Sequence, residues 1–209
     1  MWARQQNWHG GFDLHSHRFM ALKSTVFKAD VQLADIDHGY YADLPLTLAR
    51  HPSETDERMM MRLAALALNA HQVQDLCGGD ARIGFGAGLS SPDEPDVLLT
   101  DFTGRARLWI EVGQPDDKPL GKACSKADQV LVYAYGHQAD VWWRGIEAKL
   151  ARLPKLSVWR IPAADAQALA ALAERAMQLQ ATLQEGVLTL SSGLGSVAIE
   201  PVALKAASA

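Results

Sequence analysis

From Lys23 to Leu33 the chain alternates, with Thr25, Phe27, Ala29, Val31 and Leu33 on one face and Lys28, Asp30 and Gln32 on the other. That period of two predicts a half-buried strand. Asp35-Ile36-Asp37-His38-Gly39 is turn chemistry, and Tyr40 to Ala49 resumes the extended pattern, so a first hairpin is expected, with His38 as a turn residue. After Arg50-His51-Pro52 the period lengthens to that of a helix. Ser53 stands as its N-cap, Asp56 as the capping-box partner, and the run extends to about Ala70. Met60, Met61, Ala64 and Leu68 form its apolar side, and Glu57 points along that same stripe. Glu54, Arg58 and Arg62 share another face at spacings of four.

Residues 78–95, with Gly84, Gly86 and Gly88 at alternate positions, read as an exposed connection; no strand-to-helix context makes them a phosphate cradle. Val97-Leu98-Leu99 then lead through Asp101 to Arg105 into a second strand, Arg107 to Val112. With Thr103-Gly104 at the tip of this hairpin, Leu99 faces Leu108 and Asp96 faces Glu111. Directly opposed side chains sit about 4.5–5.5 Å apart at Cβ, where two like charges repel. Solvent at a frayed end, a shared proton or a cation would relieve them, and a hard cation such as Mg²⁺ takes its oxygen ligands from one or two carboxylates. Beyond the hairpin the pattern alternates between helix and strand. Leu120 to Asp128, Ala139 to Leu153 and Ala164 to Met177 are expected helices, and Gln129 to Tyr135 and Leu156 to Ile161 expected strands. Leu179 to Gln184 and Val187 to Leu190 bracket Glu185-Gly186 as a hairpin. Val197 to Leu204, interrupted by Pro201, is a last strand at an edge. Trp142 and Trp143 diverge too far around a helix to form one stacking platform, which makes at least one of them core.

Composition narrows the class. At 209 residues, 48% hydrophobic and 21% charged, the chain suits a single folded domain over residues 20–209. No apolar run reaches the length of a membrane span and no secretion signal opens the chain, which predicts a soluble cytoplasmic protein. Cys77 and Cys124, far apart and without zinc-site spacing, are expected to be reduced. The net charge of −4 disfavours broad polyanion binding. Lys118, Lys122 and Lys126, spaced by four, would line one helix face as either a local basic patch or a solvated surface. Residues 1–19 have no clear period and hold His15 and His17, so they read as an unstructured extension or, less economically, an H-x-H metal pair.

Pro95-Asp96, an acid on the next strand at Glu111 and a preceding helix that carries Glu57 resemble the core of the PD-(D/E)xK nuclease superfamily. Within it, the chain is similar to the bacterial YaeQ family. Met20 to Lys23, Leu48 to Thr55, Glu57 to Met60, Leu108 to Gly113, Lys122-Ala123-Cys124, Leu156 to Trp159 and Leu179 to Gln184 carry the resemblance. It implies an α/β fold with a mixed central sheet flanked by helices, the restriction-endonuclease-like core. It also implies Glu57, Asp96 and Glu111 as ligands of Mg²⁺ or Mn²⁺, with nucleic acid as the partner. The superfamily's lysine, two residues after the strand acid, is replaced by Gly113. Lys122 on the following helix is the candidate to assist Glu111 in catalysis, or else a solvated surface residue; Gln114 offers no charge. Two functions follow: a Mg²⁺-dependent phosphodiesterase acting on nucleic acid, or a non-catalytic binding or regulatory protein that keeps a degenerate nuclease-like fold.

Overall fold

The opening alternation becomes a long antiparallel hairpin of β1 (Thr25–Asp35) and β2 (Tyr40–Arg50) in the computed structural model, which describes residues 24–86 and 93–208. The expectations for residues 1–19, His15 and His17 among them, lie outside the described residues. β1 buries Phe27, Ala29, Val31 and Leu33, the face its alternation predicts. On its other edge β1 pairs in parallel with β8 (Ala176–Gln184), which turns back through Glu185-Gly186 into β9 (Val187–Ser192), followed by β10 (Gly195–Ile199). Glu185 and Gly186 take φ of +53° and +75°, the pair of left-handed residues that a tight hairpin turn demands.

The remaining strands form a second sheet. β3 (Ala81–Phe85), β4 (Val97–Asp101) and β5 (Ala106–Val112) run antiparallel. β6 (Gln129–Ala134) and β7 (Leu156–Arg160) add in parallel, and β11 (Val202–Lys205) closes the edge. The architecture is mixed α/β, but the single central sheet expected from the sequence is two: a five-stranded sheet in the order β10-β9-β8-β1-β2 and a six-stranded one in the order β11-β7-β6-β5-β4-β3. Alternation tells a strand which face to bury, not which sheet to join. Pro201, without an N–H to donate, breaks the expected last strand into β10 and β11, and the two pieces go to edges of different sheets.

Helix α1 (Asp56–Asn69) lies between the sheets. Every residue from Met59 to Asn69 is buried, and one core unites Phe27 and Val31 of the first sheet with Val97, Leu99 and Ile110 of the second. A second core covers the far face of the second sheet. There α3 (Asp117–Lys126) and α4 (Ala139–Leu150) pack Leu120, Ile146 and Leu150 onto Val130, Val132 and Val158. Trp142 and Trp143 are both half-buried against it, with ring centroids 6.1 Å apart and planes tilted by 46°. Two short helices, α2 (Gln72–Cys77) and α5 (Ala163–Ala170), complete the fold; α5 ends well short of Met177, which belongs to β8. Residues 78–95 are not only connection, because β3 lies within them. Its glycine hid a strand that pairs fully with β4. Cys77 and Cys124 are free and half-buried.

Candidate functional site

The start of α1 differs from its expected form. Thr55, not Ser53, is the N-cap: its backbone is extended and its Oγ1 accepts the Arg58 N–H at 3.1 Å. Ser53 is taken up in the preceding turn, where its Oγ lies 2.6 Å from His51 Nδ1. Glu54 therefore falls just before the helix, and the line Glu54, Arg58, Arg62 points inward. Arg58 Nη1 donates to Glu54 Oε1 at 3.0 Å, and Arg62 Nη1 reaches both Glu54 oxygens at 3.2 and 3.3 Å. Arg62 is 1% exposed and Glu54 4%. A face that reads as polar surface in the sequence is a buried ladder of alternating charge, because the helix has a sheet on both sides.

The hairpin supplies the fourth member. Val97 faces Ile110, Leu98 faces Trp109 and Leu99 faces Leu108, the expected register, and a bulge beyond Leu99 pairs Thr100 with Ala106. The turn is tied by Asp101, whose Oδ1 accepts from the Thr103 and Arg105 N–H groups and the Thr103 hydroxyl. The paired register ends at Val97 and Ile110, and Asp96, just before β4, donates its N–H to the same Ile110 O at 3.0 Å, so the expected Asp96–Glu111 pairing is not part of the ladder. The Asp96 carboxylate, 2% exposed, accepts the Val112 N–H at 2.7 Å and Arg58 Nη2 at 2.8 and 3.0 Å. Arg62 Nε lies 3.7 Å away. Burial pushes the Asp96 carboxyl up, and Arg58, the Val112 N–H and Arg62 oppose that push.

Glu111, half-buried, accepts the Trp109 indole N–H at 2.7 Å. Burial, reinforced by the Asp96 charge, raises its carboxyl to about 7 despite the Trp109 bond and Arg58. The like-charge conflict foreseen for this pair is thus relieved in two ways: an arginine on Asp96, and a carboxyl at Glu111 that holds its proton toward neutral pH.

Glu57, on the first turn of α1, is half-buried. It stands within electrostatic reach of Tyr135, whose hydroxyl burial lifts to about 12, with Arg58 lowering it and Glu57, Asp96 and Glu54 adding to the rise. Gly113 has φ +112°, a backbone conformation that L side chains rarely adopt, and its N–H donates to Tyr133 O at 2.9 Å. A lysine cannot stand there without strain. Gln114 braces the same corner, donating to Tyr135 O at 2.8 Å. Lys122 is exposed on α3, its Nζ 3.6 Å from Asp93 Oδ1. Among the described residues, the group of metal-type donors whose ligand atoms all lie within 4.8 Å of one another is Asp35, His38 and His71; Glu57, Asp96 and Glu111 do not draw that close. Sequence reasoning missed Glu54, Arg58, Arg62 and Tyr135 as parts of this site. Only the four-residue spacing of the first three was visible, and it looks the same on an exposed helix.

Fold and site together define a mixed α/β protein in which two sheets enclose a helix, and a buried arginine–carboxylate ladder on that helix locks the end of a β-hairpin. The sequence profile described as "YaeQ protein" matches residues 20–201, and the chain belongs to the YaeQ family. It is 42% identical over 182 residues to the "Uncharacterized protein YaeQ" of Salmonella typhi, covering 87% of this chain and 96% of that one. The protein of the same name in Escherichia coli K12 is 42% identical over 173 residues, covering 82% and 91%. The crystal structure of YaeQ from Xanthomonas axonopodis pv. citri superposes with a TM-score of 0.79 at 41% identity, covering 88% of this chain and 99% of that one. The Pseudomonas syringae YaeQ structure gives the same TM-score at 30% identity, covering 88% and 97%.

Proposed function

We propose that this chain is a non-catalytic binding or regulatory protein on a nuclease-like PD-(D/E)xK core, with an arginine on the carboxylate that an enzyme of that superfamily would give to its metal. One observation carries the reading: Asp96 is saturated by Arg58 and the Val112 N–H in a site closed to solvent. The ladder is also neutral as built, with Glu54 and Asp96 against Arg58 and Arg62. A divalent ion on Asp96 would have to displace Arg58 from a buried carboxylate that it already neutralises, a costly exchange in a low dielectric. On this reading Glu57, Asp96 and Glu111 hold no metal in this arrangement. The partner is nucleic acid, met by the exposed lysines Lys118, Lys122 and Lys126 of α3.

Isothermal titration with Mg²⁺ and Mn²⁺ and a cleavage assay on DNA and RNA test the reading. No metal heat that Asp96→Ala and Glu111→Ala remove, no cleavage, and salt-sensitive binding of a labelled single strand that weakens on removing the three lysines are expected. Metal-dependent cutting that Glu111→Ala abolishes would sink it.

The second reading is a Mg²⁺-dependent phosphodiesterase acting on nucleic acid, with Glu57, Asp96 and Glu111 on the metal and Lys122 beside the nucleophile. Glu111 favours it, since a carboxyl raised to about 7 is one that a nearby cation would return to its charged form. In that case Asp96 must exchange Arg58 for the ion, and the same titration decides between the two.

A further inference from the structure

A second group of ionisable side chains sits apart from the hairpin. Asp35 ends β1 and is fully buried. His38, in the following turn, holds it twice: its N–H donates to Oδ1 at 3.0 Å, and its Nδ1 lies 3.0 and 2.9 Å from the two oxygens. From the junction of α1 and α2, His71 brings its own Nδ1 to 3.2 Å from Asp35 Oδ2, yet off the line of a hydrogen bond. Its side chain is 7% exposed. The two imidazoles stack, with centroids 3.6 Å apart and planes within 2° of parallel.

These distances suit a metal, but the ring planes do not. Zinc takes each imidazole at about 2.0–2.1 Å through a lone pair that lies in the ring plane, and two parallel planes 3.6 Å apart share no such point. What the arrangement can hold is protons. One buried carboxylate neutralises one imidazolium; a second proton stacks two cations over a single anion.

The other groups around the cluster do not change that balance. Asp37 of the same turn is occupied by the Glu185 and Gly186 N–H groups of the β8–β9 turn, at 2.7 and 2.8 Å, and Glu185 itself is exposed. Asp75 of α2 lies 3.8 Å from His71 Nε2 and is half exposed, and Gln72 Nε2 lies 2.9 Å from the same nitrogen. From the second sheet the Tyr133 hydroxyl faces Asn69 at 2.9 Å. Burial, and then the His38 ring, hold the His71 imidazole below its ordinary range, against Asp35 and Asp75. The two histidines form one wall of a cavity of about 350 Å³ between the sheets, partly open to solvent, whose other lining includes Asn69, Tyr133, Trp159 and Leu183.

We propose that Asp35, His38 and His71 form a proton-operated clasp. It holds the β1–β2 turn to the α1–α2 junction while the stacked rings carry at most one proton, and it releases that wall of the cavity when a second proton binds. The sign follows from His71, whose proton affinity is lower in the closed form than in an open or unfolded one. The closed form is therefore favoured above the ordinary histidine range, about 6.5, and is lost as pH falls below it.

Hydrogen-exchange mass spectrometry on the whole chain, between about pH 7.5 and 5.5 and corrected for the intrinsic rate, reads the opening directly. Peptides over 33–41 and 68–78 should gain exchange by up to about tenfold per pH unit, the limit for opening coupled to one proton, with α3 and α4 unchanged. His71→Phe keeps the stacked ring and removes the second proton, so it should abolish the local response. If that variant folds poorly, His38→Phe, at the more exposed ring, serves the same purpose. An unchanged pH response in the variants overturns the clasp, as does a loosening spread over the whole chain. Stoichiometric Zn²⁺ uptake that His71→Phe removes also overturns it and makes the cluster a metal site.

Discussion

Arg58 holds two carboxylates, Glu54 and Asp96, neither of which meets solvent. Arg58→Ala leaves the two carboxylates to share Arg62 as their cation, and a broken buried pair costs about 3–5 kcal/mol. Urea unfolding should report a loss of that size, whereas Lys122→Ala, at an exposed ion pair, should change stability by less than about 0.5 kcal/mol. Glu111 titrates in the opposite sense to most carboxylates. Its folded value, about 7, lies above the ordinary 4.5, so the stability it contributes is present below the unfolded value and lost as pH rises through 7. Glu111→Gln, which cannot ionise, should therefore be more stable than the parent at pH 8 by roughly 1–3 kcal/mol and nearly equal to it at pH 4; thermal melts at the two pH values check this. Gly113 sets a limit on redesign. Gly113→Lys should cost about 1–3 kcal/mol through the backbone, a loss that urea unfolding reads.

Among the elements, α1 shows where local signals ended. Its existence, length and methionine stripe were legible, because a run of helix formers with apolar residues at helical spacing has few alternatives. Its cap was not. Ser53 and Thr55 are equally good capping residues, and the choice fell to Thr55 because the His51 ring engages Ser53 in the turn before it. Thr55→Ala should thus lower the unfolding free energy by about 1 kcal/mol while Ser53→Ala stays within a few tenths, a contrast that chemical denaturation resolves. The β4–β5 hairpin was legible almost residue by residue, since a slip of one position would turn Leu99 and Leu108 out of the core. β3 escaped notice because Ala81, Arg82 and Gly84 carry almost no strand signal alone, and its pairing with β4 makes it a strand.

At the scale of the molecule, α1 is the element both sheets share. Leu63, fully buried, belongs to a core built from strands of each. Leu63→Ala should cost about 2–5 kcal/mol, and both sheets should still lose protection in one transition when followed by hydrogen exchange, because one core joins strands of both.

What the sequence determined alone is whatever depends on neighbours in the chain: the strands with a period of two, the helix with a period of 3.6, the turns at Glu185-Gly186 and Asp101, and the register that sets Leu99 against Leu108. What the tertiary structure decided is which surfaces meet. A line of Glu54, Arg58 and Arg62 has the same spacing in water as in a core, and a His38 in a turn has the same letter whether or not His71 stacks on it. Enclosure between two sheets removed the water that would have solvated those charges. Asp96 then met arginines, Glu111 the Trp109 indole, and the buried Asp35 a pair of histidines.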